Sequence, residues 1–302
     1  MGAMRAGVAV LAVIVLACLL APLYASQVSE TDPFRSNVNG TAFGQEVLAE
    51  NTAGLGLGVT PIGPTWRGAY LLGADTQGRD VAARLLYGGR TSLLIAGCAT
   101  ALCLVLAVVL GVLSGFVGGT VDTVLAGLLD LLWAFPVYLL AISLSIVLIS
   151  QDLRLGPLRL TADSLALPVL ILGIVYVPYV ARPIRAQVLA LRRAEFIEAA
   201  HATGGTPLHI LRRHVLPQIW PGLIGFAPVV MAMALLTEAA LSVLSIGVQA
   251  PQASWGTLIA DGQALIYTRP TVAVAPGLAV LLTVLALNVV GEAWRASLET
   301  RR

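Results

Sequence analysis

Six apolar stretches, each long enough to cross a bilayer as a helix, limit this chain more than any motif in it. A spanning helix needs about 20 mostly apolar residues, because each adds roughly 1.5 Å across a hydrocarbon core of about 30 Å. The stretches run Ala6 to Tyr24, Thr91 to Val117, Val124 to Ser150, Ser164 to Val180, Val215 to Leu236 and Thr271 to Val290. With 58% hydrophobic and 11% charged residues among 302, the chain has too little polar surface for a soluble fold of this length. The fold class is therefore all-α: a polytopic membrane helix bundle with six transmembrane helices and a short helix in the polar segment between spans four and five. A formal charge of +2 carries no bulk basic signal, which excludes nucleic acid as a partner and leaves membrane lipid. All 18 basic residues are arginine, a compositional bias more than a site. Cys18, Cys98 and Cys103 lie in apolar runs and read as small buried hydrophobes, not as a disulfide or a metal site.

Six spans put both termini on one side, and arginine placement says which. Arg182, Arg185, Arg192, Arg193, Arg212 and Arg213 fill the segment between spans four and five; Arg295, Arg301 and Arg302 follow span six, and Arg5 precedes span one. That side reads as cytoplasmic. The first loop also carries arginines, but it balances them with acids and is long enough to weaken the rule, so it is assigned to the outside. The first span reads as a retained anchor rather than a secretory signal, because its apolar run is long for a signal core. The chain then divides into an anchor (1–24), an extracytoplasmic loop with an interfacial helix (25–90) and a core (91–302) that contains a cytoplasmic segment at 181–217.

Within the outer loop, residues 36–64 are rich in Gly, Asn, Thr and Pro and read as irregular chain. Gly73, Asp75, Gly78, Arg79 and Asp80 then lead into Val81 to Tyr87, where arginines among apolar positions suggest an amphipathic helix at the outer interface. Asp75 or Asp80 would stand near its N-terminus, where a carboxylate is favoured.

Two acids fall within apolar sequence. An unpaired charge at Asp130 would cost at least a few kcal/mol at the bilayer midplane, so it faces a partner, a polar cavity or the end of the bundle. Structural pairing, a role in gating or subunit contact, and ion coupling all remain open for it. Pro136 should bend the same helix. Glu238 reads either as a polar lining position on a transport route or as a capping or pairing group. The Gly-Pro sequence after it suggests a helix that finishes or re-enters at the outer leaflet, with Trp255 as an interface aromatic.

No catalytic constellation emerges. His201, His209 and His214 lack metal-site spacing, and no phosphate-cradling loop occurs, so any nucleotide hydrolysis falls to another chain.

The polar segment between spans four and five is more informative. Ile184 to Ala202 is rich in helix formers, with Pro183 placed to start it and Arg192 placed to pair with Glu195. Gly204-Gly205 ends that helix, and Thr206-Pro207 offers an N-cap and an N1 proline for a short helix through His214, after which Pro217 turns the chain back. A charged topology loop requires arginines but not this order of break, cap and proline. A short helix held crosswise between two longer ones suits a cleft in a soluble partner.

Glu198-Ala199-Ala200, Gly204, then His214-Val215-Leu216-Pro217 resembles the EAA loop of bacterial ATP-binding cassette importer permeases. Leu72 to Asp80, Gly88 to Leu93, and Gly247-Val248-Gln249 with Ser254-Trp255-Gly256 are similar to the dipeptide, oligopeptide and nickel branch, where His at position 214 in place of Ile is common. Departures are Gln218 for a frequent Asn, Gly88-Gly89 for Gly-Ala, and the 36–64 insert. The resemblance implies a C-type permease subunit in the bacterial inner membrane with both termini cytoplasmic. Its partners would be a homologous second permease, two cytoplasmic ATPases and an extracytoplasmic solute-binding protein. It implies no cofactor on this chain, with ATP and Mg2+ on the ATPases. Glu198, Ala199, Ala200, Gly204, His209, His214, Leu216 and Pro217 would form the ATPase-coupling element. The substrate would be a dipeptide or oligopeptide, with nickel or a glutathione-type solute as alternatives; a secondary transporter and a non-transporting scaffold are the readings outside the family.

Overall fold

The first pass is α1 (Gly2–Leu19), which runs through the short α2 (Ala21–Leu23) into a π-type turn at Tyr24–Ser29. The structure, a computed structural model, describes residues 2–50, 59–150, 153–155, 158–160 and 164–299. Arg301 and Arg302 lie outside the described residues. The 36–64 stretch is not simply irregular. β1 (Thr41–Ala42) pairs antiparallel with β2 (Gln45–Glu46), and β3 (Leu48–Glu50) pairs with β4 (Val59–Pro61). Phe43 and Gly44 both take positive φ between β1 and β2, the two-residue turn whose twist matches that of the strands.

Helix α3 (Val81–Val117) is the central element, 37 residues without a break. The separate interfacial helix expected at Val81 to Tyr87 is instead its first turns. Gly88 and Gly89 do not interrupt it but let it approach the segment around Ser254 and Trp255, where a Cβ on Gly88 would lie 3.0 Å from backbone. The third pass is α4 (Gly119–Ala134) and α5 (Val137–Ser150), bent by 94°. Pro136 forces its predecessor out of the helical region, and Phe135 is extended at φ −92, ψ 138. A small hairpin follows, β5 (Leu153–Leu155) with β6 (Leu158–Leu160).

The fourth pass joins α6 (Ala166–Val175) to α7 (Val177–Arg192) with a bend of 41°. It runs past the expected end at Val180, and Pro183 lies inside α7 rather than opening a new helix. Prolines persist inside membrane helices where neighbours hold the backbone in place. Here α3 does so: a Cβ on Gly111 would stand 2.8 Å from the Ala181 carbonyl, and one on Gly115 would stand 2.8 Å from Val188.

After α8 (Glu195–Ala202) come α9 (Pro207–Ile210), a π-type turn at Leu211–Val215 and α10 (Leu216–Val243). From Pro207 to Val243 this is one helical run of 37 residues. Two expectations fail there, the end of the short helix at His214 and the turn back at Pro217. The Leu216 N–H reaches Leu211 O across the widened turn, so the N–H that Pro217 lacks falls beside a ladder that is already irregular. The chain closes with α11 (Trp255–Gln263) and α12 (Thr271–Glu299).

Four helices are long and apolar enough to cross a membrane alone, and six passes result if each bent pair is one span. α3 packs on α6, α7 and α10, while α12 packs on α1, α10 and α11. The core between them includes Ile95, Ala99, Ile171, Val180, Ile184 and Leu235. Cys18 and Cys103 are buried as expected, but Cys98 is exposed. Trp255 is no interface aromatic. It is 1% exposed and its indole donates to Leu85 O at 3.0 Å.

Candidate functional site

At the end of the bundle where α3 and α7 finish, α8 stops in a defined corner. Gly205 N–H bonds Ala200 O and Gly204 N–H bonds His201 O, both at 3.0 Å. These are the two hydrogen bonds of a Schellman motif, with Gly204 at the left-handed position, φ +83. Space around Gly204 is open, so only its backbone conformation demands glycine there. Thr206 then caps the next helix, its hydroxyl accepting from His209 N–H, and Pro207 occupies the first turn. The corner is pinned from inside by Ile197, Ile210 and Val215, all fully buried.

The outward side of that corner is exposed. Glu198, Ala199, Gly204, His209 and Pro217 are exposed, while Ala200, His214 and Leu216 are half-buried. Leu208 is 62% exposed at the apex. An open groove of about 450 Å³ is lined by Thr206, Leu208, His209, Arg212 and Arg213. The His214 ring sits between Phe196 and His209, with centroids 6.4 and 6.2 Å away. Arg192 does not pair with Glu195, because the helix breaks between them; its guanidinium donates to Val117 O instead.

The opposite end is built from buried charge. Asp75, Arg79, Asp80 and Arg84 are all under 10% exposed. Asp75 accepts from the backbone of Gln77 and Arg79 and from Arg79 Nε at 2.7 Å. Arg79 and Arg84 both reach Asp261 on α11, at 3.0 and 3.2 Å, and Arg84 also donates to Pro33 O. Asp80 is the N-cap of α3: one oxygen accepts from Ala82 and Ala83 N–H, the other from Tyr70 N–H. Gly73 (φ +91) and Gly78 (φ +73) shape the turns between. Burial pushes the Asp80 and Asp261 carboxyls above the ordinary carboxylate value, with Arg84 and Arg79 drawing Asp261 partway back.

Asp261 and Arg84 complete this cluster and were not foreseen as parts of it. The available signal was a surplus: two arginines in a stretch about to enter a membrane need buried acids, and Asp261 stands alone in α11.

Between the ends, Glu238 is fully buried and accepts from Ser92 Oγ at 2.9 Å and Ser242 Oγ at 2.8 Å. Ser92 in turn accepts from Trp255 N–H, which ties α3, α10 and α11 together. Asp130 pairs with Arg182 at 2.6 Å, on a face open to the surroundings. Among the described residues, no group of three His, Cys, Asp or Glu side chains is placed to hold a metal ion.

The family described as "Binding-protein-dependent transport system inner membrane component" matches residues 107–302. A putative peptide transport system permease protein of Brucella suis biovar 1 is 35% identical over 232 residues, covering 77% of this chain and 74% of that one. The dipeptide transport system permease protein of Alkalihalophilus pseudofirmus is 33% identical, over 77% of this chain and 72% of its own. The glutathione transport system permease protein of Pectobacterium atrosepticum is 32% identical, over 77% and 73%. Among solved structures, an inward-facing MetNI methionine ABC transporter covers 70% of this chain and 95% of its own, with a TM-score of 0.56 and 20% identity. That likeness concerns the fold.

Proposed function

This chain belongs to the family of binding-protein-dependent transport system inner membrane components, and from that premise we propose the part it plays in a peptide importer. It is a multi-pass, non-catalytic permease subunit of an ATP-binding cassette importer for peptide-type solutes. It works beside a homologous second permease and two ATPase chains that bind ATP and Mg2+, and it receives solute from an extracytoplasmic binding protein. The Gly204 corner faces the cytoplasm, as the arginines at 182–213 and Arg295 support. Both termini lie on that side.

The observation that carries the reading is the corner itself. Its backbone is fixed by a Schellman motif, a capped turn and three buried aliphatic anchors, while Leu208, His209, Arg212 and Arg213 stand outward. A rigid backbone with an exposed basic and apolar apex suits insertion into a groove of another protein. Glu198, Ala199, Ala200, Gly204, His209, His214, Leu216 and Pro217 shape the ATPase-facing element. Gly73, Asp75, Gly78, Arg79 and Asp80 fasten the outer loop to the core.

The test uses the assembled complex in proteoliposomes. A single cysteine at His209 should crosslink to the ATPase, and ATP-dependent peptide uptake should follow when the binding protein is enclosed on the other side. Crosslinking only from the binding-protein side would reverse the topology. Full uptake without ATPase chains would overturn the importer assignment.

A further inference from the structure

The face formed by α4, α7 and α10 has a composition that lipid does not tolerate. Asp130 and Arg182 form an ion pair in which the Asp130 side chain is 70% exposed and that of Arg182 is 38% exposed. Both residues lie in passes that meet the length and apolarity of membrane spans. A second ion pair between the same helices, Asp122 with Arg185, marks the end where α3 finishes, since Ser114 also bonds Asp122. Asp130 lies about 12 Å further along α4 from Asp122, well within the length of the span. Charged side chains at such depth face a partner or a water-filled path.

A separate observation points the same way. The break between α4 and α5 leaves Phe135 extended between the two helices, and Ala134, Phe135 and Pro136 are all exposed. Irregular backbone at membrane depth is tolerated where it is buried in protein or lines a wet cavity, not against lipid.

The rings on this face are arranged in series. Arg182 lies over Trp133 with its guanidinium carbon 5.0 Å from the ring centre. Trp133 stacks on Tyr179 at 6.5 Å, Tyr179 meets Phe226 edge-on at 6.1 Å, and Arg295 lies over Phe226 at 5.7 Å. The result is a band with a carboxylate and a guanidinium at one end, three aromatic faces, and a second guanidinium at the other.

We propose that Asp130, Trp133, Tyr179 and Arg182 form a subsite in the translocation passage that takes the free termini of a short peptide. This rests on the importer reading above. Asp130 keeps an oxygen for an α-ammonium and Arg182 keeps N–H groups for an α-carboxylate, while the rings accept side chains of any apolar shape. A zwitterionic main chain is the feature common to all short peptides, so such a site recognises the class without choosing a sequence.

The experiment measures equilibrium binding of radiolabelled trialanine to the complete permease–ATPase complex in nanodiscs, without the binding protein, so that the selectivity of that protein does not intervene. N-acetyl-trialanine and trialanine amide serve as the comparison probes. Wild type should bind trialanine at least tenfold tighter than either blocked form. Asp130→Asn should lose that preference over the N-acetylated probe only, and Arg182→Gln over the amide only. Trp133→Phe should retain binding and Trp133→Ala should lose it. Equal binding of all three probes by wild type, or unchanged preference in the variants, overturns the subsite. Dissociation of the two permeases in Asp130→Asn and Arg182→Gln overturns it as well, by assigning the pair to the subunit interface. ATP-driven uptake by the same wild-type complex in proteoliposomes is measured in parallel. Uptake without terminal preference sinks the subsite alone, and absence of uptake sinks the importer reading.

Discussion

At the Val81 end, two arginines are buried against two aspartates of the same chain; at the Gly204 end, one histidine, two arginines and a leucine stand outward with little of this chain against them. The backbone is equally defined at both. The difference lies in where side chains find partners. A buried arginine must be matched from within, because an unpaired charge away from water is untenable. An exposed arginine or leucine on a rigid corner costs little while alone and becomes useful when another protein covers it. One end closes on itself, and the other turns its side chains outward.

Breaking one end at a time separates the two. The largest effect is expected from Asp75→Ala, which takes from Arg79 and Arg84 the more deeply buried of the two carboxylates they share and leaves Asp261 alone to match both. Removing one member of a buried ion pair costs about 3–5 kcal/mol, read as a lower thermal midpoint and early protease cleavage in loop 25–80, with ATPase binding retained. Gly204→Val attacks the other end. A β-branched residue at φ +83 is strained by about 1–2 kcal/mol, and ATPase co-purification should fall while loop 25–80 stays resistant. Thr206→Ala removes the cap on the following helix for about 1 kcal/mol, visible as faster amide exchange at 207–210 and weaker ATPase association. If either corner variant instead loosened the outer loop, the independence of the two ends would be wrong.

The smallest effect concerns pH. Asp80→Asn keeps an oxygen for the Ala82 and Ala83 N–H groups. Burial raises the Asp80 pKa above 3.8. A raised folded-state value contributes stability that is complete below the unfolded pKa and is lost as pH rises through the folded one. Asp80→Asn should therefore gain on wild type as pH climbs through the acidic range. Loop proteolysis against pH measures it, and a parallel course for the two proteins would contradict the burial argument.

What the sequence disclosed follows the range of the interactions involved. The apolar spans, the cap at Thr206, the stop at Gly204 and the bend at Pro136 are local, and each is legible within a few residues. Pro183 and Pro217 misled because a proline reads as a boundary, whereas a close neighbour or an adjacent π-type turn lets the helix continue. Arg84 and Trp255 misled for a different reason, and Glu238 was left open between lining and pairing on the same ground. Their partners Asp261, Leu85 and Ser92 are remote in the chain, and no window on the sequence brings them together. The pairing of Asp130 was foreseen in kind, but not its partner on α7.

The unbroken run from Pro207 to Val243 has a mechanical consequence. At about 1.5 Å per residue it is a run some 55 Å long, with Leu208 at one tip and Glu238 close to the other. Glu238 grips α3 and α11 through serine hydroxyls. A displacement of Leu208 therefore runs along one continuous helical element, through the π-type turn at Leu211–Val215, to the serine contacts of Glu238, so the two tips are joined by a single stretch of chain.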